Sequence, residues 1–180
     1  IHGDVYVYTV MEELLLQYNI DQIYHLAAKV IVRDTAKSPL TTYMINMNGT
    51  LNILEATRLI RSQYNKEIPT LVMSSDKAYG ISSNLPYKET HPLNGNDIYS
   101  SSKAIQDILA RSYANNFDLP IVVARPCNTY GPYDFNWSRI VPTLAKSCLS
   151  KDEIDNPLVL NKNSYQNLRE YMYVEDNIRG

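Results

Sequence analysis

The chain contains the run Gln22-Ile23-Tyr24-His25-Leu26-Ala27-Ala28, the first of three short, mostly apolar segments that decide its fold. The other two are residues 69–75 and 120–125. Each has the length of a buried strand, and longer patterns with helical spacing of apolar residues separate them. This alternation predicts parallel β-α-β units and therefore an α/β fold with a doubly wound, Rossmann-like sheet.

Two long helices are predicted among these strands. The first covers residues 41–62 with Pro39 at its entry, and the second covers residues 98–116. Because right-handed crossovers keep the strands parallel, the carboxyl ends of all three strands open onto one edge of the sheet. Ligands bind at that edge in open α/β sheets.

The pattern becomes less regular after Pro126. A helix is expected near residues 139–149, and a short strand is expected at residues 170–174. We therefore predict one domain over residues 1–126 and the beginning of a substrate-binding region, interleaved with it, over residues 127–180.

Composition narrows the classes of function. The 180 residues, 44% hydrophobic and 20% charged, are ordinary for one globular domain with a sizeable core. A net charge of -2 with scattered Lys and Arg argues against nucleic acid as a partner. The sequence has no membrane-spanning or signal pattern, and Cys127 and Cys148 fit neither a metal-ligand spacing nor a disulfide framework. We expect a cytoplasmic protein without a membrane partner and without a bound metal.

Tyr99 and Lys103 are the first candidate site residues. Four residues apart on a helix, they share one face, so the ammonium can lie beside the phenol. Free tyrosine, with a pKa of about 10, is a poor base at neutral pH, and a neighbouring cation stabilises its phenolate. With 15 tyrosines in the chain the spacing alone is weak evidence, and a solvated surface pair is the alternative.

Ser75, Asp76 and Lys77 follow the second predicted strand. The Ser75 hydroxyl could complete a hydrogen-bonding triad with Tyr99 and Lys103 around a substrate alcohol. The alternatives are that Ser75 caps local backbone and that Asp76 and Lys77 form a surface ion pair.

A set of motifs resembles the extended short-chain dehydrogenases that act on nucleotide sugars, over nearly the whole chain. The motifs, in order, are residues 23–28, Asn46 with Gly49-Thr50, residues 74–80, residues 125–132 and residues 169–176. Tyr99 and Lys103 lie at the place that the family pattern gives them. The resemblance implies NAD as the cofactor, a nucleotide sugar as the substrate and a homodimer when the protein is full length.

The resemblance also implies roles for individual residues. Ser75, Tyr99 and Lys103 would form the oxidoreduction triad, in which Tyr99 takes the proton of the sugar 4-hydroxyl while hydride leaves carbon 4 for NAD. Cofactor contacts are implied for Asp4, Leu26, Ala27, Ala28, Asn46, Ser74, Tyr99 and Lys103, and substrate contacts for Asn128, Arg139 and Arg169. His25 is interpreted as a packed residue. The alternatives are that Asp4 caps a helix, that residues 26–28 are ordinary sheet core, that Asn128 is a turn amide and that Arg169 forms a surface ion pair.

Asp76 and Lys77 favour a 4,6-dehydratase over a 4-epimerase. A dehydratase needs a base for the carbon 5 proton and an acid for the departing 6-hydroxyl, and Asp76 fits the acid. Lys77 stands where many dehydratases have Glu, and it resembles the Asp-Lys version of CDP-glucose 4,6-dehydratases and of some UDP-N-acetylglucosamine dehydratases. The segment 134–142 resembles CDP-glucose 4,6-dehydratases. Gly131-Pro132-Tyr133 instead resembles the broader epimerase group. CDP-glucose is the favoured substrate, with a 4-epimerase and a non-catalytic dinucleotide-binding protein as alternatives.

One family feature is missing from these residues. The six glycines of the chain cannot form the Gly-rich turn that cradles the cofactor pyrophosphate at a helix N-terminus. We therefore expect a fragment that lacks about two β-α units at the front and the rest of a substrate domain at the end. Such a fragment is expected to bind NAD poorly and to be inactive by itself.

Overall fold

The computed structural model describes residues 3–149 and 169–179. The chain divides into two compact units, Ile1–Arg125 and Pro126–Gly180, and each is described by itself. Among the described residues, no helix combines the length and the apolar character that a membrane crossing requires.

The first unit contains a parallel sheet of three strands, β1 (Ile23–His25), β2 (Thr70–Met73) and β3 (Ile121–Ala124). They lie in the order β1-β2-β3, which is the order within one half of a doubly wound sheet. The predicted parallel α/β fold is confirmed. The first strand is shorter than predicted and ends at His25, because the Leu26 amide bonds the Tyr24 carbonyl at 3.1 Å instead of a neighbouring strand.

Helices of the first unit flank this sheet. They are α1 (Tyr8–Gln17), α2 (Val32–Lys37), α3 (Pro39–Tyr43), α4 (Gly49–Tyr64) and α5 (Ile98–Phe117). The single helix predicted over residues 41–62 is interrupted, because Met44–Asn48 form a π-helical turn between α3 and α4. Helix α5 begins where Asp97 accepts the Ser100 amide at 3.0 Å, a typical N-cap bond.

The core of the first unit lies between the sheet and helices α4 and α5. Leu54 of α4, Val72 of β2 and Ala110 of α5 are all 0% exposed and pack together. Burial of the Leu54 and Val72 side chains contributes about 2 kcal/mol each. This packing holds α5, which carries Tyr99 and Lys103, against the strand that leads into Ser75.

A short 3-10 helix, Asp76–Tyr79, follows β2. It ends at Gly80, whose φ of 72° and ψ of -153° belong to a region that only glycine occupies readily. A Cβ on Gly80 would lie 2.1 Å from the carbonyl oxygen of Asn94. The close approach of these two backbone segments therefore requires glycine.

The second unit is built on a parallel pair of strands, β4 (Asn128–Tyr130) and β5 (Tyr171–Tyr173). Helices α6 (Ile140–Leu149) and α7 (Val174–Arg179) accompany them. The predicted helix near residues 139–149 and the predicted strand at residues 170–174 are confirmed, the strand being one residue shorter at each end. The sequence patterns did not indicate β4.

Candidate active site

Lys103 forms two hydrogen bonds with the carboxyl end of β2, as the donor in one and as the acceptor in the other. Its ammonium Nζ donates to the Met73 carbonyl at 2.8 Å. The hydroxyl of Ser74 donates to the Lys103 carbonyl at 2.9 Å. The structure thus brings Lys103 of α5 beside Ser74 and its neighbour Ser75.

Burial sets the charge properties of Lys103. The residue is 3% exposed, and this burial lowers the pKa of its ammonium to about 8. Desolvation disfavours the charged form, but a pKa of about 8 still leaves most of the ammonium protonated at pH 7. The site therefore holds a cation at neutral pH.

Tyr99 lies in the first turn of α5, one turn before Lys103, and is half-buried. Its carbonyl accepts a hydrogen bond from Ser102 Oγ at 2.7 Å. Because residues four apart share a helix face, the phenol and the ammonium project from the same side of α5.

Ser75, Asp76 and Lys77 form a compact turn directly after β2. Ser75 is 8% exposed, donates to Asp76 Oδ1 at 2.9 Å and accepts the Lys77 amide at 3.2 Å. Lys77 Nζ lies 3.5 Å from Asp76 Oδ2, and the two side chains are 36% and 15% exposed, respectively. The backbone cap and the ion pair weighed as alternatives are thus both present. They hold a carboxylate and an ammonium beside the serine hydroxyl at the sheet edge.

Asn46, which the resemblance implies for NAD, is fully engaged with the protein. In the π-helical turn it is 0% exposed. Its Oδ1 accepts the Lys29 amide at 2.7 Å, and its Nδ2 donates to the Lys29 carbonyl at 3.1 Å and to Ser102 Oγ at 2.8 Å. Both N–H groups of the side chain are therefore used. Asn46 ties the segment after β1 to α5.

The residues beyond β1 lie open at the sheet edge. Leu26 is 59% exposed, Ala27 is exposed and Ala28 is half-buried. The alternative that residues 26–28 are sheet core is therefore wrong. Asp4 is also exposed, and its alternative role as a helix cap is wrong, because α1 starts after Val7 and has no side-chain cap.

His25, the last residue of β1, is 3% exposed, which agrees with its interpretation as a packed residue. Burial, and secondarily the charge of Lys103, lower the pKa of its imidazole to about 4. No group of three His, Cys, Asp or Glu side chains in the described part of the chain could hold a metal ion.

The sequence reasoning missed Asp107 and Arg125. Arg125 donates to both carboxylate oxygens of Asp107, at 2.5 and 3.0 Å, and to the Tyr79 hydroxyl at 2.8 Å. The hydrogen bonds to Asp107 raise the pKa of Arg125 above its ordinary value. One signal was available, since Asp107 follows Lys103 by one helical turn and so had to face the same side of α5.

The residues implied for substrate binding lie in the second unit. Asn128 begins β4 and donates to the Glu170 carbonyl at 3.0 Å, while Arg169 is exposed and lies two residues before the start of β5. The structure therefore brings Asn128 and Arg169 to the amino end of the same strand pair. Arg139 lies elsewhere, before α6, where its Nη1 is 3.2 Å from Asp134 Oδ2.

A cavity of about 520 Å³ lies between α6 and the segment that precedes it. Aromatic side chains line one side, from Tyr133, Phe135 and Trp137. Lys146 of α6 lies opposite, with its Nζ 5.2 Å from the centre of the Trp137 ring. The cavity belongs entirely to the second unit.

Comparison with known proteins places these features in a family. The family model described as GDP-mannose 4,6 dehydratase matches residues 1–180. A dTDP-glucose 4,6-dehydratase of Streptomyces antibioticus is 32% identical over 180 residues, which are 100% of this chain and 50% of that protein. A CDP-paratose 2-epimerase of Salmonella typhi is 30% identical over 199 residues, covering 99% of this chain and 57% of that protein.

A solved structure shows the same architecture. The crystal structure of a double mutant of DesIV, a dTDP-glucose 4,6-dehydratase from Streptomyces venezuelae, has NAD bound. It superposes with a TM-score of 0.81 at 26% identity and covers 99% of this chain and 52% of that chain. The present chain thus spans about half the length of the relatives it matches.

Proposed function

The chain belongs to the GDP-mannose 4,6-dehydratase family, and from that membership we propose that the whole protein is an NAD-dependent nucleotide-sugar 4,6-dehydratase. The observation that carries the proposal is the pair of opposed hydrogen bonds between β2 and Lys103, at 2.8 and 2.9 Å. They fix the cation of a Tyr-Lys pair beside the strand end that continues into Ser75 and Asp76.

The carboxyl edge of the first sheet fits NAD. Leu26 and Ala27 present exposed, apolar surface there, and Lys103 supplies a cation that could bind ribose hydroxyls. Asp4 and Ala28 belong to the proposed cofactor surface. Ser74, which is buried, supports it through its bond to the Lys103 carbonyl, and Asn46 supports it by holding the segment that follows Ala28. NAD, when bound, would take a hydride from sugar carbon 4 and return it to carbon 6.

The first half of the proposed reaction uses three side chains of the first unit. Tyr99, as phenolate, takes the proton of the 4-hydroxyl, so that carbon 4 becomes a ketone when its hydride leaves. The Lys103 ammonium stabilises the phenolate by charge. Ser75 orients the same oxygen, and for this its hydroxyl exchanges its bond to Asp76 for one to the sugar.

The second half removes water across carbons 5 and 6. Asp76 gives a proton to the departing 6-hydroxyl, and Lys77 takes the proton of carbon 5, which the 4-ketone has made acidic. A proton passed from Lys77 to Asp76 across their 3.5 Å contact leaves a neutral amine and a carboxylic acid. After both transfers the ammonium and the carboxylate are restored, and one water has left. When hydride returns to carbon 6, the Lys77 ammonium would give a proton to carbon 5, and the proton held by Tyr99 would replace it through solvent.

For the whole protein, we assign residues 1–126 to cofactor binding and residues 127–180 to the start of the substrate region, where Asn128, Arg139 and Arg169 bind the nucleotide sugar. Guanidinium groups suit its pyrophosphate because their donors match two oxygens at once. We also propose a cytoplasmic homodimer.

CDP-glucose is the substrate we favour, because the Asp-Lys pair and residues 134–142 resemble the enzymes that use it. Two relatives with nearly equal sequence identity to this chain are named for a CDP-sugar and for a dTDP-sugar. The whole protein is therefore to be incubated with CDP-glucose and with dTDP-glucose. The expected product is a 4-keto-6-deoxy sugar, seen by its absorbance in alkali and by loss of the mass of water.

Two variants separate the candidate functions. Tyr99→Phe should abolish the reaction whether it is dehydration or epimerisation. Asp76→Asn should stop dehydration only, and Asp21→Asn, whose side chain is 85% exposed, is the matched control. A 4-epimer formed without loss of water, and unaffected by Asp76→Asn, would replace the dehydratase by a 4-epimerase. NAD binding without any product would favour a non-catalytic dinucleotide-binding protein.

A further inference from the structure

A buried polar network joins the end of β1 to helices α4 and α5. His25 Nε2 lies 2.8 Å from Thr50 Oγ1, and Gln106 Nε2 lies 2.6 Å from the same oxygen. Thr50 Oγ1 also lies 2.7 Å from the carbonyl oxygen of Asn46. His25 is 3% exposed, and the other three residues are 0% exposed. Because these buried polar groups cannot form hydrogen bonds with water, they have to form them within the protein.

The direction of each bond follows from counting protons. A threonine hydroxyl has one proton and two lone pairs. The Asn46 carbonyl can only accept, so it takes the Thr50 proton, and Thr50 Oγ1 accepts from both His25 and Gln106. His25 therefore carries a proton on Nε2. The 3.5 Å contact between His25 Nε2 and Gln106 Nε2 joins two donors and is not a hydrogen bond.

Two polar links connect the same pair of helical segments. In the first, Asn46 Nδ2 donates to Ser102 Oγ at 2.8 Å. In the second, Gln106 Nε2 donates to Thr50 Oγ1 at 2.6 Å. Asn46 and Thr50 are four residues apart, as are Ser102 and Gln106, so the links lie about one turn apart on facing surfaces. Two links at different heights constrain both the rotation and the sliding of α5 relative to α4 more tightly than one link would.

We propose that Thr50 and Gln106, together with His25, are positioning residues that fix Tyr99 and Lys103 of α5 against the sheet. This inference rests on the proposed function of that pair. Thr50 and Gln106 would act through the helix and would not touch the substrate. A helix held in this way keeps both side chains aimed at the carboxyl edge of the sheet.

Ser102, which takes part in the first link, is adjacent to Lys103 and hydrogen-bonded to Tyr99. Ser102 directly precedes Lys103, and its hydroxyl donates to the Tyr99 carbonyl at 2.7 Å. Lys103 Nζ reaches the Met73 carbonyl only when α5 has its observed position along β2 and its observed rotation about the helix axis. Turning α5 would break that bond and expose the ammonium.

Gln106 is poorly suited to a role in packing alone. Its Oε1 is buried and has no hydrogen-bond partner among the described residues. An unsatisfied buried acceptor lowers stability, and a leucine of similar size would avoid that cost. What Gln106 adds beyond packing is the N–H group that it donates to Thr50.

The test compares three threonine variants. Thr50→Val removes the hydroxyl at nearly constant shape, and Thr50→Ser keeps the hydroxyl. Thr57→Val is the matched control, because Thr57 is also buried in α4 and its hydroxyl donates only to the Leu54 carbonyl, at 2.8 Å. In the whole protein, the Lys103 side chain is titrated by NMR, thermal unfolding is recorded, and kcat and KM are measured.

Thr50→Val should raise the pKa of Lys103 from about 8 towards its ordinary value of 10.5. It should also lower kcat by about ten- to a hundredfold with little change in KM, as expected when reacting groups are misplaced. Thr50→Ser should restore both values. Gln106→Leu should lower kcat in the same way without loss of thermal stability.

The proposal is overturned if Thr50→Val and Thr57→Val lose stability equally while the pKa of Lys103 stays unchanged in both. The Lys103 titration does not depend on turnover. If the whole protein converts no nucleotide sugar, the titration still decides whether the network positions Lys103, so the two failures can be told apart.

Discussion

The buried carboxylate of Asp107 binds the guanidinium of Arg125 through both of its oxygens, at 2.5 and 3.0 Å. Asp107 lies on α5 one turn after Lys103, and Arg125 directly follows β3. Arg125 also donates to the hydroxyl of Tyr79, which belongs to the 3-10 helix that begins at Asp76. Arg125 thus connects α5, the end of β3 and the 3-10 helix that carries Asp76.

Removal of Arg125 should destabilise the protein far more than removal of a second arginine that binds the same carboxylate. Asp107 is 0% exposed, and the side chains of Arg125 and Arg111 are 13% and 53% exposed, respectively. Arg125→Met should cost about 3–5 kcal/mol, as expected when one partner of a buried pair is lost. Arg111→Met should cost about 0–1 kcal/mol. Urea unfolding measures both, and equal losses would show that burial does not set the strength of these pairs.

The sequence was sufficient for the features that depend on short-range patterns. The three strands were predicted because apolar runs of strand length alternate with helical spacing. Helix α5 was predicted over residues 98–116 and is observed over Ile98–Phe117, because Asp97 provides a cap next to the first apolar position. The common strand edge followed from chain topology, which places Ser75 and the end of β1 at one side of the sheet.

The features that the sequence could not reveal depend on packing between distant segments. The bond of Asn46 to Ser102 joins residues 56 positions apart, and the bond of Gln106 to Thr50 spans the same separation. The π-helical turn that carries Asn46 has no spacing signature, so the helix was predicted as regular. β1 ends where the Leu26 amide bonds the Tyr24 carbonyl, and the spacing of apolar residues gives no indication of that bond.

Lys103 should make the stability of the protein rise with pH in an alkaline window. Its pKa is lowered by burial from 10.5 to about 8, so between these values the unfolded chain binds a proton that the folded chain does not. The free energy of unfolding therefore increases between about pH 8 and pH 10.5, by up to about 3 kcal/mol. Below pH 8 the protein bears the full cost of burying the charged ammonium. Relative to Lys103→Met, the parent chain should gain stability across this window in urea titrations. The exposed Lys88, replaced by Met, should show no such trend.

His25 should change stability with pH in the same sense as Lys103, but in an acidic window. Burial, and secondarily the charge of Lys103, lower its pKa from 6.5 to about 4, so the unfolded chain binds a proton first as the pH falls. The stability that His25 contributes is complete above pH 6.5 and is lost as the pH falls towards 4, by up to about 3 kcal/mol. His25→Gln keeps an N–H donor for Thr50 without a titrating ring, so its free energy of unfolding should fall less steeply. His91→Gln is the control, and a slope for His25→Gln equal to that of the parent would contradict the buried neutral imidazole.

Gly80→Ala should destabilise the turn that carries Asp76. The residue has φ 72° and ψ -153°, and an added Cβ would lie 2.1 Å from the Asn94 carbonyl oxygen, so the backbone itself has to move. Because Ala78 accepts the Asn94 amide at 2.9 Å, that movement should also loosen the 3-10 helix. We expect a loss of about 2 kcal/mol or more in thermal unfolding and faster proteolysis within residues 81–97. Ser83→Ala in the same exposed loop should leave both measurements unchanged, and a stable, protease-resistant Gly80→Ala chain would show that the turn has another low-energy conformation.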